Sequence, residues 1–182
     1  MPKRPSRVDA QRNLARIVEV AREVFGERGT SAGMDEIAKA AGVGVGTLYR
    51  HFATKEALIA EIVREQIEKT AEDAEAQAKR RDAGAAFFEF LERLWSSGSQ
   101  KKALVDALAG SSIDMRKLAA SSAQKMRRAL AKLLARAQAE GAVRDDVEVA
   151  DVLALLGASL TAARTGTRNR IFEIVRDGLR PR

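Results

Sequence analysis

Between Pro5 and Pro181 the chain contains no proline. Proline breaks or kinks helices, so its absence allows helices to run without interruption. Alanine is abundant, and apolar residues recur every three or four positions instead of alternating as they do in strands. The sequence therefore predicts an all-α fold of about nine helices.

The charge and the cysteine count limit the partners of the chain. The net charge of +7 favours an acidic partner, with nucleic acid ahead of an anionic membrane surface. The absence of cysteine excludes disulfides and thiolate metal sites. No apolar run approaches the roughly 20 residues of a membrane span, and no signal-peptide core follows the basic N-terminus. We expect a cytoplasmic protein without a membrane partner.

The residues that catalysis needs do not occur in a recognisable pattern. The chain has one histidine, no HExxH motif and no glycine-rich phosphate loop. No nucleophile with a base and no metal cluster can be identified. We expect no enzymatic activity, no metal and no cofactor.

A basic segment, residues 1–8, contains Lys3, Arg4 and Arg7. It predicts a flexible arm, which either follows the minor groove of DNA or is simply solvated. Residues 9–54 are expected to form a first domain of three helices. Residues 55–182 are expected to form a larger helical domain, which begins with a linking helix over 55–79.

Two short helices are predicted close together in the first domain. They cover Met34–Ala41 and Val45–His51, and Gly42 lies in the tight turn between them. Such a pair is the helix-turn-helix motif, whose second helix enters the major groove of DNA. Leu48 and Phe52 lie one turn apart and should face inward. Their expected contacts are Phe25, Ile37 and Ala41.

The larger domain shows further helical stripes. Thr54 is expected to cap the linking helix. Further along the chain, apolar residues at helical spacing predict helices over 87–95, 104–108 and 115–133, with breaks near Gly98 and Gly110. Gly141 should end the last of these. A final helical pair is expected at Val149–Arg164 and Thr167–Leu179.

The segment IAKAAGVGVGTLYRHFATKEAL, residues 37–58, resembles the DNA-binding signature of the TetR family. The resemblance extends through the first helix, whereas the rest of the chain matches only in length, helix count and arrangement. Gly33 and Gly44 stand where the family usually has a serine or threonine N-cap. At Gly44 this also removes a common phosphate contact.

The resemblance implies a homodimeric transcriptional regulator, a repressor that a small-molecule ligand releases from double-stranded operator DNA. The alternative is a non-regulatory, nucleoid-type basic protein. The large apolar C-terminal domain argues against that alternative, because architectural binding does not require it.

The resemblance also implies which residues contact DNA. Val45, Gly46 and Thr47 approach base edges or the adjacent backbone, while Tyr49, His51 and Lys55 bind phosphate. Arg50 either bonds guanine through two hydrogen bonds or neutralises the backbone. Lys55 opens a helix, whose free amides favour an anion. The predicted DNA-binding residues are Gly44, Val45, Gly46, Thr47, Tyr49, Arg50, His51 and Lys55.

A ligand pocket is suggested by Phe88, Glu92 and Trp95, which share one helix edge. An aromatic pair around a carboxylate suits an aromatic or cationic effector. The alternative is that Glu92 faces water and the other residues are packed core. Methionine adapts to varied ligand shapes. The predicted pocket comprises Phe88, Leu91, Glu92, Trp95, Met115, Ser122 and Met126.

The last two helices carry more apolar residues than one small domain can bury. The surplus predicts a four-helix interface across a two-fold axis. Gly157 and Ala158 would allow close helix approach. The predicted interface residues are Leu153, Leu156, Leu160, Ile171, Ile174 and Val175.

Overall fold

The computed structural model describes residues 7–108, 111, 113–162 and 167–181. All regular structure in this part of the chain is helical, which confirms the all-α prediction. None of these helices is long and apolar enough to cross a membrane. The eight helices are α1 (Arg7–Arg28), α2 (Met34–Ala40), α3 (Val45–His51), α4 (Lys55–Gln77), α5 (Ala83–Ala107), α6 (Met115–Ala139), α7 (Val149–Ala162) and α8 (Arg168–Gly178).

The chain divides into two compact units. The first unit takes in the described residues up to Glu65 and those between Gln100 and Leu118. Its helices bury the apolar faces that their spacing predicts. Among its buried side chains are Ile17, Val18, Ala21, Phe25, Ile37, Ala38, Leu48, Leu58 and Ile62. The domain boundary at residues 54 and 55 stays a prediction.

The second unit contains Gln66–Ser99 and the described residues from Ala119 onward. Its core draws on α5, α6, α7 and α8 and includes Phe87, Phe90, Leu91, Leu130, Leu133, Val152 and Leu156. The rings of Trp95 and Phe172 stack at 5.3 Å, and this contact fixes α8 against α5.

The joint between α4 and α5 is held by two side chains at the C-terminal end of α6, Arg136 in its last turn and Glu140 just after it. Arg136 donates to the carbonyl oxygen of Ala78 at 2.7 Å. Glu140 accepts hydrogen bonds from the backbone amides of Ala83 at 3.2 Å and Gly84 at 2.9 Å. These side chains satisfy backbone groups that a helix end leaves without partners.

The expected break near Gly98 is wrong. Gly98 lies inside α5, which continues to Ala107. A glycine inside a helix costs roughly 0.5–1 kcal/mol relative to alanine, which packing on both sides can offset. Buried residues on either side, Trp95 and Leu104, supply that packing. Gly110 and residues 163–166, at the predicted end of α7, lie outside the described residues.

Candidate nucleic-acid interface

The turn between α2 and α3 is set by two glycines. Gly42 has a φ of +64°, a left-handed conformation that costs a side-chain-bearing residue strain. Val43 N donates to the Ala38 carbonyl at 3.0 Å and Gly42 N to that of Lys39 at 3.1 Å. This pair of bonds is the Schellman motif that ends helices, and it directs the chain into α3.

Gly44 provides the N-cap of α3. Its backbone is extended, with φ −68° and ψ 142°, and the cap has no side-chain hydrogen bond. This agrees with the expectation that glycine supplies the cap geometry but not the hydroxyl. A hydroxyl-bearing residue fits the same backbone region, so the substitution removes a polar group without altering the turn.

The inner face of α3 is anchored in the core of the first unit. Leu48 is fully buried and Phe52, at the end of the helix, is almost so. Ile37, Ala38 and Phe25 are buried in the same unit. Helical spacing predicted this face correctly, and its burial holds the opposite face outward.

The outer face of α3 is exposed. Val45 is 38% and Tyr49 48% exposed. Gly46, Arg50 and His51 are exposed and Thr47 is partly buried. A Cβ added to Gly46 would meet nothing within 4 Å, so another molecule can approach the backbone there.

Arg50 is engaged by its own helix. Its Nε donates to the Gly46 carbonyl and its Nη2 to Thr47 Oγ1, both at 3.2 Å. The guanidinium therefore lies along the exposed face of α3. These two bonds use two of the five guanidinium N–H donors, so donors on Nη1 and Nη2 remain for a base or a phosphate.

Lys55 is placed at the beginning of α4. Its ammonium lies 5.8 Å from the centre of the Phe25 ring, within cation–π range. Thr54 Oγ1 accepts the amide of Ala57 at 3.1 Å, which confirms the predicted cap. The remaining free amides of this helix end favour an anion beside Lys55.

Sequence reasoning missed basic residues on α1 and α2. Lys39 is exposed in the last turn of α2, and Arg16 Nη2 lies 4.0 Å from where a Cβ on Gly42 would stand. Arg28 forms an ion pair with Glu36, which ties the end of α1 to α2. The basic residues along the first two helices, Arg16 and Lys39 among them, are the sequence signal that points to this side of the domain.

Six of the seven predicted ligand residues belong to the second unit, and Met115 belongs to the first. Leu91 and Trp95 are buried and Phe88 is half-buried. The Arg180 guanidinium covers the Phe88 ring at 4.8 Å, in the position assigned above to a cationic ligand. Glu92 is exposed. Ser122 and Met126 are half-buried on α6, and the Met115 side chain lies outside the described ones.

The predicted dimer residues separate into two groups. Leu156 is 6% exposed in the core of its own chain, whereas Ile174 is 58% exposed. Leu153, Ile171 and Val175 are half-buried, and the Leu160 side chain is outside the described part. Leu155, which the interface prediction did not include, is 42% exposed.

The fold and the exposed face of α3 define a helix-turn-helix DNA-binding protein. The family model for bacterial regulatory proteins of the tetR family matches residues 17–62. The model for the C-terminal domain of SbtR-like transcriptional regulators matches residues 82–181. The chain belongs to the TetR family of DNA-binding transcriptional regulators.

Solved structures and a curated protein agree with this. A TetR transcription regulatory protein from Mycobacterium vanbaalenii is 38% identical, with 97% of this chain and 100% of that one covered, at a TM-score of 0.78. A TetR regulator from Streptomyces coelicolor is 30% identical over 92% of this chain and 98% of that one, at a TM-score of 0.74. An HTH-type transcriptional regulator of Staphylococcus aureus is 41% identical over 63 residues, and this match spans 34% of either protein.

Proposed function

We propose that this chain is a homodimeric repressor that leaves operator DNA when a small molecule binds its C-terminal domain. The observation that carries the proposal is the division of α3 into a buried face, Leu48 and Phe52, and an exposed face with Val45 and Tyr49. Residues 9–54 form the DNA-binding domain, and residues 55–182 bind the ligand and the second copy. Such a helix, anchored on one side and open on the other, suits the major groove.

In this proposal the N-terminal part of α3 approaches the bases. Gly44, Val45, Gly46 and Thr47 contact base edges or the adjacent backbone. The contacts with phosphate come from Tyr49, His51 and Lys55. Arg50 contacts guanine or phosphate through its remaining N–H donors.

DNA duplexes selected from a random pool by the wild-type protein allow the test. Tyr49→Ala and Lys55→Ala should weaken binding to every selected duplex, because each removes a phosphate contact. Lys55→Ala should also reduce the salt dependence, because it removes a positive charge. The control is Lys102→Ala, which removes an exposed lysine that pairs with Asp106 on α5. Equal effects of Lys55→Ala and Lys102→Ala, or equal binding of selected and scrambled duplexes, would contradict the proposal.

Thr47 and Arg50 require a double-mutant cycle. Each single change to alanine also alters the partner, because the two side chains are hydrogen-bonded. If Arg50 bonds a base, Arg50→Ala should change the ranking of operator variants whether Thr47 is present or not. If it binds only phosphate, the ranking should stay and affinity should fall uniformly.

The dimer interface is proposed on the exposed apolar residues of α7 and α8. Leu155, which is exposed, adds to the set predicted from the sequence, Leu153, Leu156, Leu160, Ile171, Ile174 and Val175. Leu156→Glu places a charge in the core of the protomer itself, so it would not separate loss of fold from loss of the dimer. Leu155→Glu and Ile174→Glu avoid this ambiguity because both side chains are exposed.

The effector is proposed to be an aromatic or cationic molecule bound near Phe88, Leu91, Glu92, Trp95, Met115, Ser122 and Met126. Because Arg180 already covers Phe88, a cationic ligand must displace it. Arg180→Ala should therefore strengthen binding of lipophilic cations found in a thermal-shift screen, and Glu92→Gln should weaken it. Hits should release operator. Cations that bind both variants as they bind wild type would exclude this pocket.

A further inference from the structure

A groove in the second unit lies between the end of α4 and the middle of α6. Its volume is about 490 Å³, within the range of small-molecule sites. None of the residues discussed above as ligand-binding lines it. Its cationic lining residues are Lys79, just beyond the end of α4, and Lys125, Arg128 and Lys132 from α6.

Helical spacing explains why these cations converge. Lys125, Arg128 and Lys132 lie at i, i+3 and i+7, so they share one face of α6. The floor is made of small side chains, Ala78 and Ala129. Ala129 is buried, and alanine leaves open volume between the long cationic side chains.

The groove carries an excess of positive charge. Glu75 is its one acidic lining residue, and it lies 3.7 Å from Lys125. Lys79, Arg128 and Lys132 have no carboxylate within ion-pair distance among the residues described. Four cations against one carboxylate leave an excess of three. An anion bound in the groove would relieve this repulsion.

The end of α4 does not cancel this positive potential. Carbonyl groups at a helix C-terminus carry partial negative charge and disfavour anions. The carbonyl of Ala78, which lines the groove, is already bonded to the Arg136 guanidinium at 2.7 Å. Arg136 therefore offsets the negative end of the helix beside the groove.

We propose that this groove binds a small molecule that carries several phosphate groups. Guanidinium and ammonium groups bind phosphate oxygens through charge-assisted hydrogen bonds, and four converging cations suit a multiply charged anion better than a single carboxylate. The alternative is an ordinary solvated basic face. Binding in the groove does not depend on the function proposed for α3.

Isothermal titration calorimetry of the full chain with tripolyphosphate, at constant ionic strength, tests the proposal. We expect one saturable site per chain. Arg128→Gln should weaken binding about tenfold, the effect of losing a charge-assisted hydrogen bond. The matched control is Arg127→Gln, an exposed neighbour outside the groove, which should change affinity by less than about twofold. Glu75→Gln should strengthen binding because it releases Lys125.

A parallel titration with ATP identifies the source of the phosphates. Tighter binding of ATP assigns the groove to an organic phosphate, and binding of tripolyphosphate alone assigns it to an inorganic one. Three results would overturn the proposal: no saturable binding, equal losses in Arg127→Gln and Arg128→Gln, or binding abolished by Lys55→Ala. The last would place the anion on the DNA-binding head.

Discussion

Ile174 is the most exposed large apolar residue among those described, at 58%, and it allows a quantitative test of the dimer. Full burial of an isoleucine side chain stabilises by about 1.5–3 kcal/mol. Burying the exposed 58% of Ile174 in the interface then stabilises the dimer by about 0.9–1.7 kcal/mol per copy. A two-fold axis doubles this to about 1.7–3.5 kcal/mol per dimer. Ile174→Ala should therefore raise the dimer dissociation constant by about 20- to 300-fold, towards the lower end because alanine keeps Cβ.

Sedimentation equilibrium over a range of concentrations measures this constant. Val105→Ala is the matched control, because Val105 is 41% exposed on α5 and belongs to the first unit. Circular dichroism should show both variants folded, since surface substitutions usually change stability by less than about 0.5 kcal/mol. If the two variants dissociate alike, within about threefold of wild type, Ile174 does not contribute to a dimer interface.

Three further predictions concern stability, measured by urea unfolding. Gly84→Ala should lower the free energy of unfolding by about 1–3 kcal/mol, because the new Cβ would lie 2.5 Å from the Cβ of Ala142. The double variant Gly84→Ala/Ala142→Gly should recover this stability, and a double variant as unstable as Gly84→Ala would refute the clash. Thr54→Ala should lower the free energy of unfolding by about 1 kcal/mol, because it removes the N-cap of α4, whereas Thr54→Ser should keep most of the stability of the cap. Equal losses of stability in the two variants would exclude the cap. The hydrogen bond from Arg64 lowers the pKa of Glu61 below its ordinary 4.5, and burial partly opposes this shift. The bond therefore stabilises the fold above the pKa that Glu61 has in the unfolded chain, and this stabilisation is lost as the pH falls through the lower pKa of the folded protein. Glu61→Gln should thus cost about 0.5 kcal/mol at neutral pH and nothing in acid, and a difference that persists in acid would contradict this.

The parts of the site that follow from local sequence were predictable. The one-turn spacing of Leu48 and Phe52 identified the buried face of α3, and a glycine at position 42 identified the turn. These depend on residues close together in the chain, where helical geometry alone decides which side chains share a face. The engagement of Arg50 by Thr47 is local too, and the same spacing could have predicted it.

Contacts between distant residues could not be predicted in this way. Phe88 and Arg180 meet only because α8 packs on α5, so nothing local indicates that the aromatic face is already covered. The same limit applies to Leu155 and Leu156. The sequence showed a surplus of apolar residues on α7, but only packing decides that Leu156 faces the core while Leu155 faces outward.

The charged side chains at the joint between α4 and α5 lie beside the basic groove, at the end of the linking helix α4. Arg136 places positive charge at the carbonyl end of α4, and Glu140 places negative charge at the amide end of α5. Both signs are those that the helix dipoles favour. The end of α4 therefore cannot move away from α6 without exposing backbone groups that have lost their partners. An anion held by Lys79, just beyond α4, and by Arg128 on α6 would link the end of α4 to α6. Occupancy of the groove and the bonds of Arg136 therefore favour the same position of the end of α4. If occupancy changes operator affinity, operator must change anion affinity by the same factor.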